Sequence, residues 1–213
     1  MDSEPLAMRT LIAAIARQGF EVTEENAYRD FLGRSMETIS ASVDKTHGSA
    51  LAPAAFQAMR HDLYALYRQE LRANPGLPEV LGKLTTPFCV ASSSTPERIR
   101  LSLELTGLLP FFGDRIYSAT MVKNGKPAPD LFLHAAAAMG VSPERCIVIE
   151  DSPAGITAAK AAGMAVFGYL GGSHVGPAGL HALLENLHPD AIFDDMQALP
   201  DLVSSLGTEK KAP

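Results

Sequence analysis

A four-residue apolar run, Cys146-Ile147-Val148-Ile149, stops at two adjacent carboxylates, Glu150 and Asp151, and a small-residue helix signal over 154–162 follows. A short continuous run of this kind fits a strand buried on both faces, the habit of parallel sheets. In an open parallel sheet, ligands bind where strands end and helices begin. Neither acid has a Lys or Arg next to it in the sequence, so the pair needs another source of positive charge. A hard cation such as Mg²⁺, held by one or two carboxylates plus waters and phosphate oxygens, supplies it. Capping of the next helix accounts for one acid but less well for two.

The chain up to about residue 74 carries helical patterns only. Met8, Leu11, Ile12 and Ile15 share one face, and Gly19 ends that segment. Thr23 and Ser35 are N-cap signals for the next two helices, with Gly33 between them. From about Pro53, Phe56, Met59, Leu63, Leu66 and Tyr67 form a further apolar stripe. Asn74-Pro75-Gly76-Leu77-Pro78 then breaks the pattern. The expected division is a helical domain over 4–74 and an α/β core over 75–213 joined by residues 1–3.

Beyond the break, strand signals at 87–91, 115–118, 146–149, 165–169 and 191–193 alternate with helical ones at 96–105, 130–139 and 153–162. Asp194 with Gln197 reads as a capping box for a closing helix, and the residues through Lys210, Lys211 and Pro213 as a frayed tail. This rhythm predicts an α/β class fold, a parallel Rossmann-like sheet with helices on both faces.

Composition narrows the function classes. Hydrophobic residues at 46% and charged residues at 20% describe a globular protein rather than a disordered one. A formal charge of −6 argues against nucleic acid as a partner. It also means that a phosphorylated ligand must meet local positive charge. No apolar run approaches the roughly 20 residues of a membrane span. Cys89 and Cys146 each sit in an apolar run without a neighbouring base, which predicts inert buried thiols. No basic-then-apolar leader is visible, so a cytoplasmic location is expected.

Two further segments bear on a phosphorylated ligand. Ser92-Ser93-Ser94-Thr95 ends a predicted strand, where hydroxyls, amides and a helix N-terminus can form an anion pocket. Thr95 before Pro96 also reads simply as an N-cap. Lys126, within Lys123-Asn124-Gly125-Lys126-Pro127-Ala128-Pro129, is flanked by prolines that restrict where its ammonium can point. Right-handed crossovers put all the strand ends on one edge, so Ser92, Lys126, Glu150 and Asp151 can converge.

The segments Val90-Ala91-Ser92-Ser93-Ser94, Gly125-Lys126-Pro127-Ala128-Pro129-Asp130 and Ile149-Glu150-Asp151-Ser152-Pro153-Ala154-Gly155-Ile156, in this order, resemble the haloacid dehalogenase superfamily of phosphatases and phosphotransferases. The helical first part is similar to that family's small helical cap. The resemblance implies that Ser92 hydrogen-bonds the transferring phosphoryl group, with the Ser93 amide beside it and Ser94 next to them. Lys126 would bridge phosphoryl and nucleophile, and Asp151, assisted by Glu150, would hold Mg²⁺. Arg34, at a helix–helix turn of the cap, is the expected substrate contact. The implied ligand is a small phosphorylated metabolite, a sugar or polyol phosphate, bound by a monomer.

The family's nucleophile is an Asp that forms an aspartyl-phosphate, with a second Asp two residues later as general acid/base, in a pattern Asp-x-Asp-Gly-x-x-x-Asp-Ser. Met1-Asp2-Ser3-Glu4 resembles only its tail, so the first core strand, the nucleophile and the acid/base are expected to be missing from this chain. The expected cause is a start site placed too late or a truncated record. Two other readings stand: a hexose-phosphate mutase resembling β-phosphoglucomutase, disfavoured because Ala7 occupies the place of its cap histidine, and an inactive phosphate-binding pseudoenzyme. His134, His174, His181 and His188 have no metal-ligand spacing and are expected to carry no role.

Overall fold

The helical patterns at the start of the chain become four helices: α1 (Glu4–Ala16), α2 (Glu24–Phe31), α3 (Met36–His47) and α4 (Pro53–Glu70). The structure, a computed structural model, describes residues 1–32, 36–48 and 50–209. Gly33, Arg34 and Ser35, and the tail at 210–213, lie outside the described residues. Thr23 caps α2, its hydroxyl accepting from the Asn26 N–H at 3.2 Å. The apolar stripes meet in one cluster built on Met8, Leu11, Ile15, Tyr28, Ile39 and Val43. A second cluster, Leu6, Leu63, Tyr67 and Leu71, fastens α1 to the end of α4. No described helix is long and apolar enough to cross a membrane.

Gly76, at φ 74°, turns the chain into α5 (Leu77–Lys83). The alternating part follows as β1 (Val90–Ser92), α6 (Pro96–Leu105), α7 (Leu109–Phe112), β2 (Ile116–Ser118), α8 (Asp130–Met139), β3 (Ile147–Glu150), α9 (Pro153–Ala161), β4 (Ala165–Tyr169), α10 (Leu180–Asn186), β5 (Ala191–Phe193) and α11 (Leu199–Glu209). All strand pairs are parallel. β1 starts later than the apolar pattern suggested, because only residues 90–92 find partners in Ile116–Ser118. The expected Asp194 cap is Asp195 instead, which accepts from the Gln197 N–H at 2.9 Å and caps the short turn leading into α11.

β4 shows why its sequence is apolar throughout: all five residues are buried. Val166 faces a layer made by α8, α9 and α10, with Phe132, Ile156, Ala158, Ala159 and Leu184. Phe167 and Tyr169 face the other way, onto Val80 of α5 and Leu199 near the start of α11. The alanines of α9 let that helix lie close on the sheet. Each fully buried large aliphatic side chain here contributes roughly 1.5–3 kcal/mol.

The sheet is divided. β1 pairs with β2, and β3, β4 and β5 pair in that order, with no described strand joining the two pieces. The Val90 N–H bonds to Arg115 O, so the backbone of Ala91 faces away from β2. The Ala165 N–H bonds to Cys146 O, which turns the backbones of Ile147 and Ile149 away from β4. Two unpaired parallel edges therefore bound a slot. Burial agrees: none of the β1 residues is fully buried, and Ile147 and Ile149 are only half-buried.

Exposed edges exchange their amide hydrogens quickly. In hydrogen–deuterium exchange, the Ala91 and Ile149 amides should exchange at least about 100-fold faster than those of Phe167 and Tyr169. Equal protection would show that both edges are paired after all.

Candidate active site

The β1 end presents the first polar group. The Ser92 hydroxyl accepts from the Ser94 N–H at 3.2 Å, folding the serines into a tight turn. Ser118, fully buried at the end of β2, donates to Ser94 O at 2.7 Å and holds that turn from beneath. Ser93 is thereby left exposed at the apex. Thr95 caps α6, its hydroxyl accepting from the Arg98 N–H at 3.4 Å. A cavity of about 120 Å³ opens here, between Ser3, Ser92, Ser94 and Arg98. The larger surface hollow of about 500 Å³, near Arg100, Leu109 and Asp114, contains none of the predicted site residues.

Lys126 supplies the second group. Its loop is held by Asn124, whose backbone and side-chain N–H groups reach Asp130 Oδ2 at 3.3 and 3.0 Å. The Lys126 ammonium donates to Ala91 O at 3.2 Å and pairs with Glu150 Oε1. It also stands over the Phe132 ring, 4.6 Å from its centre. The lysine thus fills the carboxyl-end mouth of the slot, touching the edge of β1 and the last residue of β3. The positive charge that Glu150 lacks among its sequence neighbours comes from 24 residues away, directly from Lys126.

Glu150 and Asp151 are adjacent but do different things. Both oxygens of Glu150 are engaged, one by Lys126 and the other by the Ser152 hydroxyl at 2.9 Å. Ser152 in turn caps α9, accepting from the Gly155 N–H at 3.0 Å. Gly155 has a steric reason: a Cβ there would lie 2.0 Å from Glu150 Cδ. Asp151, its side chain 47% exposed, keeps an accessible carboxylate that could take a hard cation beside its 3.8 Å contact with His174. Among the described residues no cluster of three or more His, Cys, Asp or Glu side chains stands ready for a metal. One outward carboxylate fits Mg²⁺, which keeps several waters and takes few protein ligands.

Sequence reasoning missed the surroundings of Asp151. His174, given no role by its spacing, is buried with Nε2 3.8 Å from Asp151 Oδ2. The Asp2 carboxylate accepts from the Ser173 N–H at 3.2 Å, tying the start of the chain to the loop that carries His174. Arg98 donates to the hydroxyl of buried Tyr67 at 2.6 and 3.0 Å, joining α6 to α4. Burial pushes the Glu4 carboxyl up from its ordinary value, while nearby Arg98 opposes that shift. No periodicity announces any of these, because each joins segments far apart in sequence. Burial also pushes both thiols up, Cys89 and Cys146 alike, which makes them poor nucleophiles.

Removing one partner of a buried pair strands the other charge. Lys126→Ala should therefore lower stability to urea by about 3–5 kcal/mol, with Glu150→Gln in that background restoring part of it. A loss below about 0.5 kcal/mol would show the pair to be solvated.

The family described as haloacid dehalogenase-like hydrolase matches residues 2–163. A relative from Escherichia coli K12, 6-phosphogluconate phosphatase, is 30% identical over 209 residues, covering 97% of this chain and 91% of its own. A haloacid dehalogenase-like protein of unknown function from Agrobacterium tumefaciens C58 superposes with a TM-score of 0.80 at 30% identity, over 97% of this chain and 93% of that one. A HAD family hydrolase from Deinococcus radiodurans R1, with bound phosphate and sodium, superposes at 0.77 with 29% identity, over 97% and 91%. This chain belongs to the haloacid dehalogenase-like hydrolases.

Proposed function

We propose that the chain carries the phosphoryl-binding and cation-binding face of an Mg²⁺-dependent phosphatase for a small phosphorylated metabolite, a sugar or polyol phosphate. One observation carries this reading: Lys126 joins the ends of β1 and β3 through Ala91 O and Glu150, the residues that immediately precede Ser92 and Asp151 in the chain. A protein with a net charge of −6 needs such a fixed cation to receive a phosphate. The name of the E. coli relative, a phosphatase of a phosphorylated sugar acid, supports the substrate class.

In this reading the Ser92 hydroxyl and the exposed Ser93 backbone and hydroxyl bind phosphoryl oxygens, and Ser94 closes the turn beneath them. Lys126 neutralises charge on the phosphoryl group as it builds up during transfer, and it does so without reorganising, because Glu150 already holds it. Glu150 accordingly serves to anchor the lysine rather than to bind metal, and Asp151 is the carboxylate that would hold the cation. Mg²⁺, when bound, would offset phosphate charge and help to orient the group for in-line displacement. The attacking carboxylate of aspartyl-phosphate chemistry belongs at the top of the slot between β1 and β3, within reach of Lys126. Residues 4–74 form the cap that closes over this edge, excludes water and selects substrate. Ala7 lies in α1 and has no titratable group, which favours hydrolysis over the mutase reading.

The test is phosphate release from a panel of sugar and polyol phosphates, using the chain with an Asp-x-Asp-Gly strand supplied ahead of Met1. Turnover is expected to need Mg²⁺, and Asp151→Asn or Lys126→Ala should each lower kcat/KM by about 10²–10³-fold. Release of no phosphate from any substrate, or turnover indifferent to both substitutions, would refute the reading.

A further inference from the structure

His174 is buried without an evident structural need. It is only 4% exposed, in the turn-rich segment between β4 and α10. Its Nδ1 has no partner although it is buried. A buried polar atom left unpaired costs roughly 1–3 kcal/mol, so an aliphatic side chain would pack here more favourably. The loop nevertheless fixes the ring closely. A Cβ on Gly172 would lie 2.7 Å from His174 Cε1 and 2.9 Å from Nδ1, so only glycine leaves the ring its place. Asp2 holds the neighbouring Ser173 N–H at 3.2 Å, and the Ala178 N–H bonds to His174 O at 2.9 Å. With no hydrogen-bond partner at Nδ1, and with Glu4 as the other carboxyl near the ring, the proton is best placed on Nε2, the edge turned to Asp151 Oδ2 at 3.8 Å.

We propose that His174 is a positioning residue that orients the Asp151 carboxylate for its cation by donating from Nε2. The proposal rests on the reading of Asp151 as the carboxylate that holds Mg²⁺. A movement of about 1 Å by either side chain brings the two within hydrogen-bond distance. The donor then holds one oxygen of the carboxylate and leaves the other aimed outward. Partners of this kind, one step removed from a metal, set the orientation of its ligands, and their loss weakens metal affinity about 10–100-fold. The aliphatic core around β4 gains nothing from this arrangement. Its benefit lies in binding.

The experiment is a Mn²⁺ titration of the chain followed by water-proton relaxation, with Mg²⁺ as competitor. Three variants, Asp151→Asn, His174→Met and His174→Gln, are compared with the parent, and thermal midpoints report folding. Asp151→Asn should abolish the site. His174→Met should weaken binding about 10–100-fold, and His174→Gln, whose amide can donate from nearly the Nε2 position, should stay within about 5-fold of the parent. Should the methionine variant fail to fold, Gly172→Ala, which displaces the ring, is expected to show the same weakening. Full affinity in His174→Met, together with loss in Asp151→Asn, overturns the proposal and leaves the site reading intact. Equal loss in the methionine and glutamine variants shows that the ring only packs, and also overturns it. Metal binding indifferent to Asp151→Asn overturns both.

Discussion

A single ammonium group bridges the two halves of this sheet at their carboxyl-end edge. Lys126 reaches Ala91 O on the unpaired edge of β1 and Glu150 at the end of β3, with both charged side chains at most 10% exposed. Burying an ion pair is seldom a net gain, because desolvation offsets most of the Coulomb attraction. It persists here because every participant has further partners. Phe132 lies under the ammonium, Ser152 takes the second Glu150 oxygen, and Gly155 leaves the carboxylate the room that a Cβ would fill. The result is a cation fixed at a strand-end opening before any ligand arrives, which is what electrostatic preorganisation requires.

The same interaction explains why a divided sheet still presents one site. β1–β2 and β3–β4–β5 share no ladder, and between them Ala91 and Ile149 turn their backbones toward an empty register. Unpaired edges are a liability in most proteins. The lysine covers one end of this one, between Ala91 O and Glu150.

Much of the fold was legible where physics is local. β4 at 165–169 and β5 at 191–193 follow from apolar runs, and the start of α6 from the Thr95-Pro96 cap signal. The handedness of crossovers, rather than any one motif, led to the expectation that the ends of β1 and β3 share an edge with Lys126, and Lys126 does meet Ala91 O and Glu150 there. What escaped was tertiary. No pattern marks Lys126 as the partner of Glu150, since proximity arises only after α8 packs on the sheet. His174 looked like a loop histidine because burial of a single side chain leaves no periodic trace. Asp195 rather than Asp194 caps the final turn although β5 ends at Phe193 as expected, since which of two adjacent acids reaches the Gln197 N–H is set by the local backbone and not by any pattern. Arg34, expected to contact substrate, lies outside the described residues.

The proposed phosphatase chemistry requires a phosphoryl group lying between the Ser92–Ser94 turn and Lys126. Crystals soaked in tungstate, a heavy phosphate mimic with an anomalous signal, test this directly. The prediction is a peak within hydrogen-bond reach of the Ser92 hydroxyl and the Lys126 ammonium, lost in Lys126→Ala. A peak elsewhere on the strand-end edge, or one that survives loss of the lysine, would contradict it.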